Sequence, residues 1–183
     1  MRIPSRAAVA LFALVIGFPS VSSLSAVPPV AALSLRDLDG RKVSLADYRG
    51  KGPVLVFFFR GFWCAYCVDQ LVQLERLKAT DLKDIPVLAV SPDSVETALR
   101  GKLALEKEKS VRFTHRFLSD SDVIFAPRYG LGAGDGKAGA RLPSFVLVDR
   151  DGKEVWTFTE SHYIIRPIDE RLREGLRKLG RAP

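Results

Sequence analysis

Hydrophobic and polar positions alternate between two periods along the chain. Val54 to Phe59 is an unbroken run of β-branched and aromatic residues, the pattern of a strand buried on both faces. Behind it Val68, Leu71, Leu74 and Leu77 recur at helical spacing, and Val72 widens the stripe. Ile85 to Ser91 predicts a second buried strand. Asp93-x-x-Glu96 then predicts the cap of a helix that carries Val95, Leu99 and Leu103 on one face. Val111 to Leu118 predicts another strand, and Ser119-Asp120 a helical turn running toward Tyr129-Gly130. Residues 130 to 139 hold five glycines and read as a flexible loop. Phe145 to Val148 and Glu154 to Phe158 flank the turn Asp149-Arg150-Asp151-Gly152. Pro167 opens a last helix with Ile168, Leu172, Leu176 and Leu179 on one face, closed by Gly180. Ahead of the first buried strand, Ala32 to Asp37 and Lys42 to Leu45 form a hairpin around Asp39-Gly40, and Ala46 to Gly50 a helical turn. Strands alternating with helices predict an α/β domain, a central mixed sheet with helices on both faces.

The start of the chain follows a different pattern. Arg2 and Arg6 precede a twelve-residue apolar run, Ala7 to Phe18, and small residues follow from Pro19 to Ser25. Residues 1–25 therefore read as a signal peptide or N-terminal anchor, 26–31 as a linker and 32–183 as the folded domain. The run is short for a membrane span. Export to a periplasmic or extracellular setting is expected, with membrane anchoring by an uncleaved segment as the alternative. The net charge is +7; losing a leader with Arg2 and Arg6 leaves +5. Arg171, Arg173, Arg177, Lys178 and Arg181 cluster near the end, where an amphipathic helix explains them as a solvated face. No nucleic-acid module is present, so the charge supports no more than a mild preference for acidic partners.

Chemistry concentrates at Phe62-Trp63-Cys64-Ala65-Tyr66-Cys67, where the first buried strand hands over to its helix. Cys64 and Cys67 are the chain's two cysteines. At a helix start unpaired N–H groups and the positive dipole end favour thiolate over thiol. Cys-x-x-Cys in this context is the signature of a thioredoxin-like redox site. Half a zinc site and a plain structural disulfide are the competing readings. Zinc needs four ligands, and only His115 and His162, both distant in sequence, are on offer. A bridge this short constrains the unfolded chain little. No metal or cofactor is implied, and the glycines of 130–139 lack the spacing of a nucleotide loop.

The region from about residue 31 to 179 resembles the redoxin group that includes alkyl hydroperoxide reductase and thiol-specific antioxidant proteins, in particular peroxiredoxin-like proteins with a Trp-Cys-x-Tyr-Cys motif. The resemblance rests on Gly40 to Leu45, Phe59 to Cys67, Ser91-Pro92-Asp93, Phe117 to Asp120, Leu142 to Phe145 and Tyr163 to Pro167, in that order. It implies a thioredoxin-like fold with an N-terminal hairpin extension. It also implies that Pro143 is the proline such folds hold in cis opposite the cysteines, the alternative being an ordinary trans proline opening a strand.

One departure is chemically specific. Typical peroxiredoxins carry a proline seven residues before the attacking cysteine and a threonine three before it. With Cys67 in that frame, Arg60 and Cys64 stand in their places. In the thioredoxin frame Cys64 attacks and Cys67 resolves, which its place nearer the helix start also favours. Arg60 and Arg141 are candidates for lowering the thiolate pKa and binding a peroxide oxygen, or are surface arginines. Trp63 and Tyr66 are placed to cover the disulfide and offer a docking surface, core packing being the other reading of Trp63. Trp156 reads as structural.

The expected function is a thiol-dependent antioxidant peroxidase cycling Cys64 and Cys67 between dithiol and disulfide. An exported oxidoreductase acting on protein disulfides is the alternative, and a binding module with a structural disulfide a third reading. The partners implied are a hydroperoxide or protein disulfide and a thioredoxin-like or other thiol donor, with no nucleic acid.

Overall fold

The computed structural model describes residues 28–129, 143–160 and 168–180. The expected leader, the glycine loop, Arg141 and Tyr163 to Pro167 lie outside them.

Among the described residues seven strands form one sheet: β1 (Ser34–Asp37), β2 (Lys42–Ser44), β3 (Val54–Phe58), β4 (Val87–Ser91), β5 (Arg116–Ser119), β6 (Ser144–Val148) and β7 (Glu154–Thr159). Their spatial order is β2-β1-β5-β4-β3-β6-β7. β3, β4 and β5 are parallel neighbours, and the remaining pairs are antiparallel. All five residues of β3, β4 and β6 are buried, which explains their continuous apolar runs.

Three α-helices among the described residues accompany the sheet: α1 (Ala65–Leu77), α2 (Val95–Lys109) and α3 (Ile168–Lys178). From β3 through α1 to β4, and through α2 to β5, the chain moves the same way across the sheet. Right-handed crossovers then place both helices on one face. There Leu71 and Leu74 of α1, Leu105 of α2 and Leu172 and Leu176 of α3 share a core with Leu55, Phe57, Ala89, Phe117, Phe145 and Leu147. The opposite face buries Val56, Phe58, Leu88, Val90, Leu118 and Val146. Its cover includes three short 3-10 helices at 30–32, 45–48 and 126–129. Helices thus lie on both faces, but among the described residues the α-helices share one.

Three local expectations change. Ser94, not Asp93, caps α2: its hydroxyl accepts from Thr97 N–H at 3.2 Å. Val95, Leu99 and Leu103 share a flank, yet Leu103 is 54% exposed; the buried side holds Ala98 and Leu105. Gly101 lies on it too, where a Cβ would meet the Phe62 ring at 2.5 Å. The strand expected from Val111 is shorter because side chains take its first N–H groups: Phe113 N–H donates to Glu106 at 2.9 Å and Thr114 N–H to Glu75 at 2.8 Å.

Candidate active site

β3 ends at Phe58, and Phe59 N–H still bonds to the Val90 carbonyl at 2.9 Å, so the chain leaves the sheet at a fixed point. It then turns sharply through Gly61, whose φ of 129° disfavours any other residue. A Cβ at Gly61 would meet the Trp63 indole at 2.7 Å and the Asp93 carboxylate at 3.0 Å. Asp93 accepts from the Phe62 N–H and from Ser91 Oγ at 3.1 Å, pinning the loop to the end of β4; burial pushes its carboxyl up. The Phe62 ring meets Phe59 edge-on at 5.3 Å and lies 5.4 Å from Phe117.

Cys64 is the N-cap residue of α1, in extended conformation at φ −88° and ψ 98°. Its sulfur takes the capping role usually filled by an oxygen and accepts Cys67 N–H at 3.4 Å. The Cys67 thiol donates to the same sulfur at 2.7 Å. Cys64 is 5% exposed and Cys67 is fully buried, and the two are unbonded.

The hydrogen bond from the Cys67 thiol, aided by the Cys67 N–H and by Arg60, outweighs burial and lowers Cys64 from the ordinary 9.0 to about 6. Cys67, the donor in that bond and more deeply buried, is pushed strongly upward. Arg60 also gives its backbone N–H to Cys67, while its guanidinium lies over the Trp63 ring at 4.4 Å. One sulfur is held as a thiolate and the other as its proton donor.

Arg60, Trp63, Cys64, Tyr66 and Cys67 thus come together at the β3–α1 junction. Trp63 is 66% exposed, which excludes core packing. Tyr66 is buried, so it offers no docking surface; burial, the charge of Glu160 and a hydrogen bond to Glu160 raise its pKa. Pro143 immediately precedes β6, and the pairing of Ser144 with Phe58 places it level with Phe59 near the site. The peptide bond entering Pro143 begins at Leu142, outside the described residues. Trp156 packs on Gly175 of α3 and stacks on Phe158.

Three site neighbours escaped the sequence reading. Asp93 carried a signal, misread as a helix cap. Gln70 carried one too, as a polar residue inside the buried stripe of α1. Glu160 follows β7, remote in sequence, and nothing in its surroundings marks it. Among the described residues no group of His, Cys, Asp and Glu is arranged to hold a metal, and no helix is long and apolar enough to cross a membrane.

A Cys-x-x-Cys pair at the start of the helix following a central strand, on this mixed sheet, defines a thioredoxin-like oxidoreductase. The chain belongs to the Redoxin family, whose profile matches residues 18–170. It is 26% identical over 144 residues to the thiol-disulfide oxidoreductase ResA of Bacillus thuringiensis subsp. konkukian, covering 78% of this chain and 72% of that protein. It is 31% identical over 129 residues to a putative peroxiredoxin of Mycobacterium tuberculosis, covering 68% and 78%. Among solved structures, peroxidoxin BcpB from Mycobacterium tuberculosis shares the fold at a TM-score of 0.63, with 20% identity over 81% of this chain and 91% of that one.

Proposed function

We propose that Cys64 is the attacking thiolate and Cys67 the resolving thiol of a dithiol–disulfide cycle that reduces protein disulfides. The observation that carries this reading is the pair of hydrogen bonds from Cys67 onto the Cys64 sulfur. Cys64 attacks one sulfur of a substrate disulfide; that S–S bond breaks and the other sulfur leaves as a thiolate. Cys67 then attacks the Cys64 sulfur, closes the intramolecular disulfide and releases the second thiol. An external thiol donor, thioredoxin-like or other, runs the cycle back. The exposed Trp63 beside Cys64 is the surface on which a protein substrate rests.

Hydroperoxide reduction is the second reading, favoured by the Redoxin membership and by Arg60 beside Cys64. The thiolate attacks one peroxide oxygen, an alcohol or water leaves, and Cys67 condenses with the sulfenic acid to release water. The threonine hydroxyl expected in a peroxiredoxin is replaced by Cys64 in the Cys67 frame, which weighs toward disulfides. Given the basic, apolar start of the chain, we place the protein outside the cytoplasm, where a dedicated donor must supply electrons.

Both reactions are tested together with the full chain under excess reductant, supplying a protein disulfide in one series and hydrogen peroxide in the other. Disulfide turnover abolished by Cys64→Ser supports the exchange reading, and fast peroxide turnover moves the protein to the peroxidase reading. Absence of both reactions leaves the structural disulfide as the account.

A further inference from the structure

Two turns that the redox cycle does not use come together at the opposite end of the sheet from the cysteines. Residues 49–53 lead into β3, and 149–153 join β6 to β7. Val54 pairs with Val148 and Phe58 with Ser144, so both turns lie a strand length, about 16 Å, from the end that delivers Cys64. Gly50 N–H donates to the Arg150 carbonyl at 2.7 Å, and the Arg150 guanidinium donates back to the Gly50 carbonyl at 3.3 Å. Gly152 leaves room for Arg49 to lie across the second turn: a Cβ there would meet its Nε at 2.7 Å.

Arg49, Lys51, Arg150 and Lys153 are exposed on these turns, and among the described residues none of them forms an ion pair. By contrast Arg41, Arg100, Lys102, Arg116 and Arg173 each hold a carboxylate. Carboxylates near the turns are engaged by the fold. Asp149 Oδ1 accepts the Asp151 and Lys153 N–H groups at 2.9 Å each, and Asp47 Oδ2 accepts Ser44 N–H at 3.0 Å. Asp151 is exposed, so the four cations set against Asp149 and Asp151 leave the two turns a net +2. Lys83 and Asp84, ahead of β4 at the same end, offset each other. The chain also enters the fold beside these turns. Buried Val30 gives its N–H to the Tyr129 hydroxyl at 2.7 Å and to Glu154, which adjoins Lys153, at 3.3 Å.

We propose that this end of the domain is a membrane-facing surface, on which Arg49, Lys51, Arg150 and Lys153 meet anionic phospholipid headgroups. The inference rests on the placement outside the cytoplasm, with the N-terminal segment retained as an anchor. The apolar run Ala7 to Phe18 has twelve residues, where a span takes about 20. Attachment through so short a segment is marginal, and a basic surface supplies the second contact that makes it stable. With these turns on the bilayer, exposed Trp63 and the cysteine end face the aqueous side, open to protein substrates.

The test measures co-sedimentation of the full chain with vesicles of phosphatidylcholine alone and of an equimolar phosphatidylcholine–phosphatidylglycerol mixture. The wild type binds the mixed vesicles more tightly, and added salt removes the difference. Arg49→Gln, Lys51→Gln, Arg150→Gln and Lys153→Gln combined weaken binding to the mixed vesicles about a hundredfold and leave binding to neutral vesicles unchanged. Lys51→Gln with Lys153→Gln, which spares both arginines packed on the turns, gives an intermediate loss. Arg177→Gln with Lys178→Gln, two exposed cations of α3, keeps wild-type binding. On the mixed vesicles hydrogen exchange slows at residues 49–53 and 150–153 and not at 61–64. Equal binding of the fourfold variant and the wild type to mixed vesicles overturns the proposal, as does an equal loss in the α3 variant or protection at 61–64. A wild type that does not bind neutral vesicles lacks the anchor; that outcome removes the anchoring reading and this surface with it, and leaves the exchange cycle standing.

Discussion

Cys67 directs both its backbone N–H and its thiol at the sulfur of Cys64, at 3.4 and 2.7 Å. Those two contacts make the cysteines chemically unequal, although they lie one helical turn apart. Cys64 becomes the stronger acid and the better nucleophile at neutral pH, and Cys67 remains protonated.

The ranking of causes gives the first prediction. Wild-type Cys64 alkylates at a rate that rises with pH through about 6 and then levels off, because the thiolate fraction saturates above that point. The thiol bond from Cys67 is the largest lowering influence and Arg60 a smaller one. Cys67→Ala therefore moves the midpoint upward by more than Arg60→Ala does. Rates of iodoacetamide labelling across the pH range check the order.

Gly61→Ala tests the turn that delivers the cysteines. The positive φ and the 2.7 Å approach to the Trp63 indole together cost on the order of 1–3 kcal/mol. The expected result is a lower midpoint in chemical denaturation, together with weaker protection of the Cys64 thiolate.

Leu103 and Leu105 are two positions apart on α2 and differ in burial. Leu105→Ala costs about 2–4 kcal/mol, because Leu105 belongs to the core beneath the sheet. Leu103→Ser stays within about 0.5 kcal/mol. Paired denaturation curves decide.

His115 gives the pH dependence of stability. It is buried, and its Nε2 lies 3.1 Å from the Leu71 carbonyl, which can only accept, so the proton sits on Nε2 and leaves Nδ1 bare 3.4 Å from Glu75. Burial, with Lys78 adding to it, outweighs the Leu71 carbonyl and the Glu75 charge and holds its pKa below the ordinary value. The folded state therefore binds its proton less readily than the unfolded one. Its contribution is complete above the unfolded pKa, about 6.5, and is lost as pH falls from there toward the folded value. Removing the ring with His115→Gln flattens the loss of stability over that window, measured as denaturation midpoint against pH.

Much of this molecule was legible because its signals are local. The apolar runs at Val54 and Val87 mark strands buried on both faces, and the cysteines lie where one strand yields to a helix. Long-range information was hidden. Leu99 and Leu103 keep helical spacing, yet the orientation of α2 is decided by Gly101 against Phe62, a contact no period reveals. Glu160 meets Tyr66 and Gln70 only because the β6–β7 hairpin returns it to α1, ninety residues beyond Gln70. Asp93 looked like a cap because acidic residues commonly fill that role, but Ser94 lay one step closer to the helix.

The assignment of attacker and resolver is tested most directly by trapping. Cys67→Ser and Cys64→Ser variants of the full chain are incubated with a disulfide-bonded protein substrate, and the products are weighed by mass spectrometry without reductant. The account predicts a mixed disulfide accumulating on Cys64 in the Cys67→Ser variant and no adduct in Cys64→Ser. An adduct on Cys67 in the Cys64→Ser variant, formed as fast as the other, contradicts it.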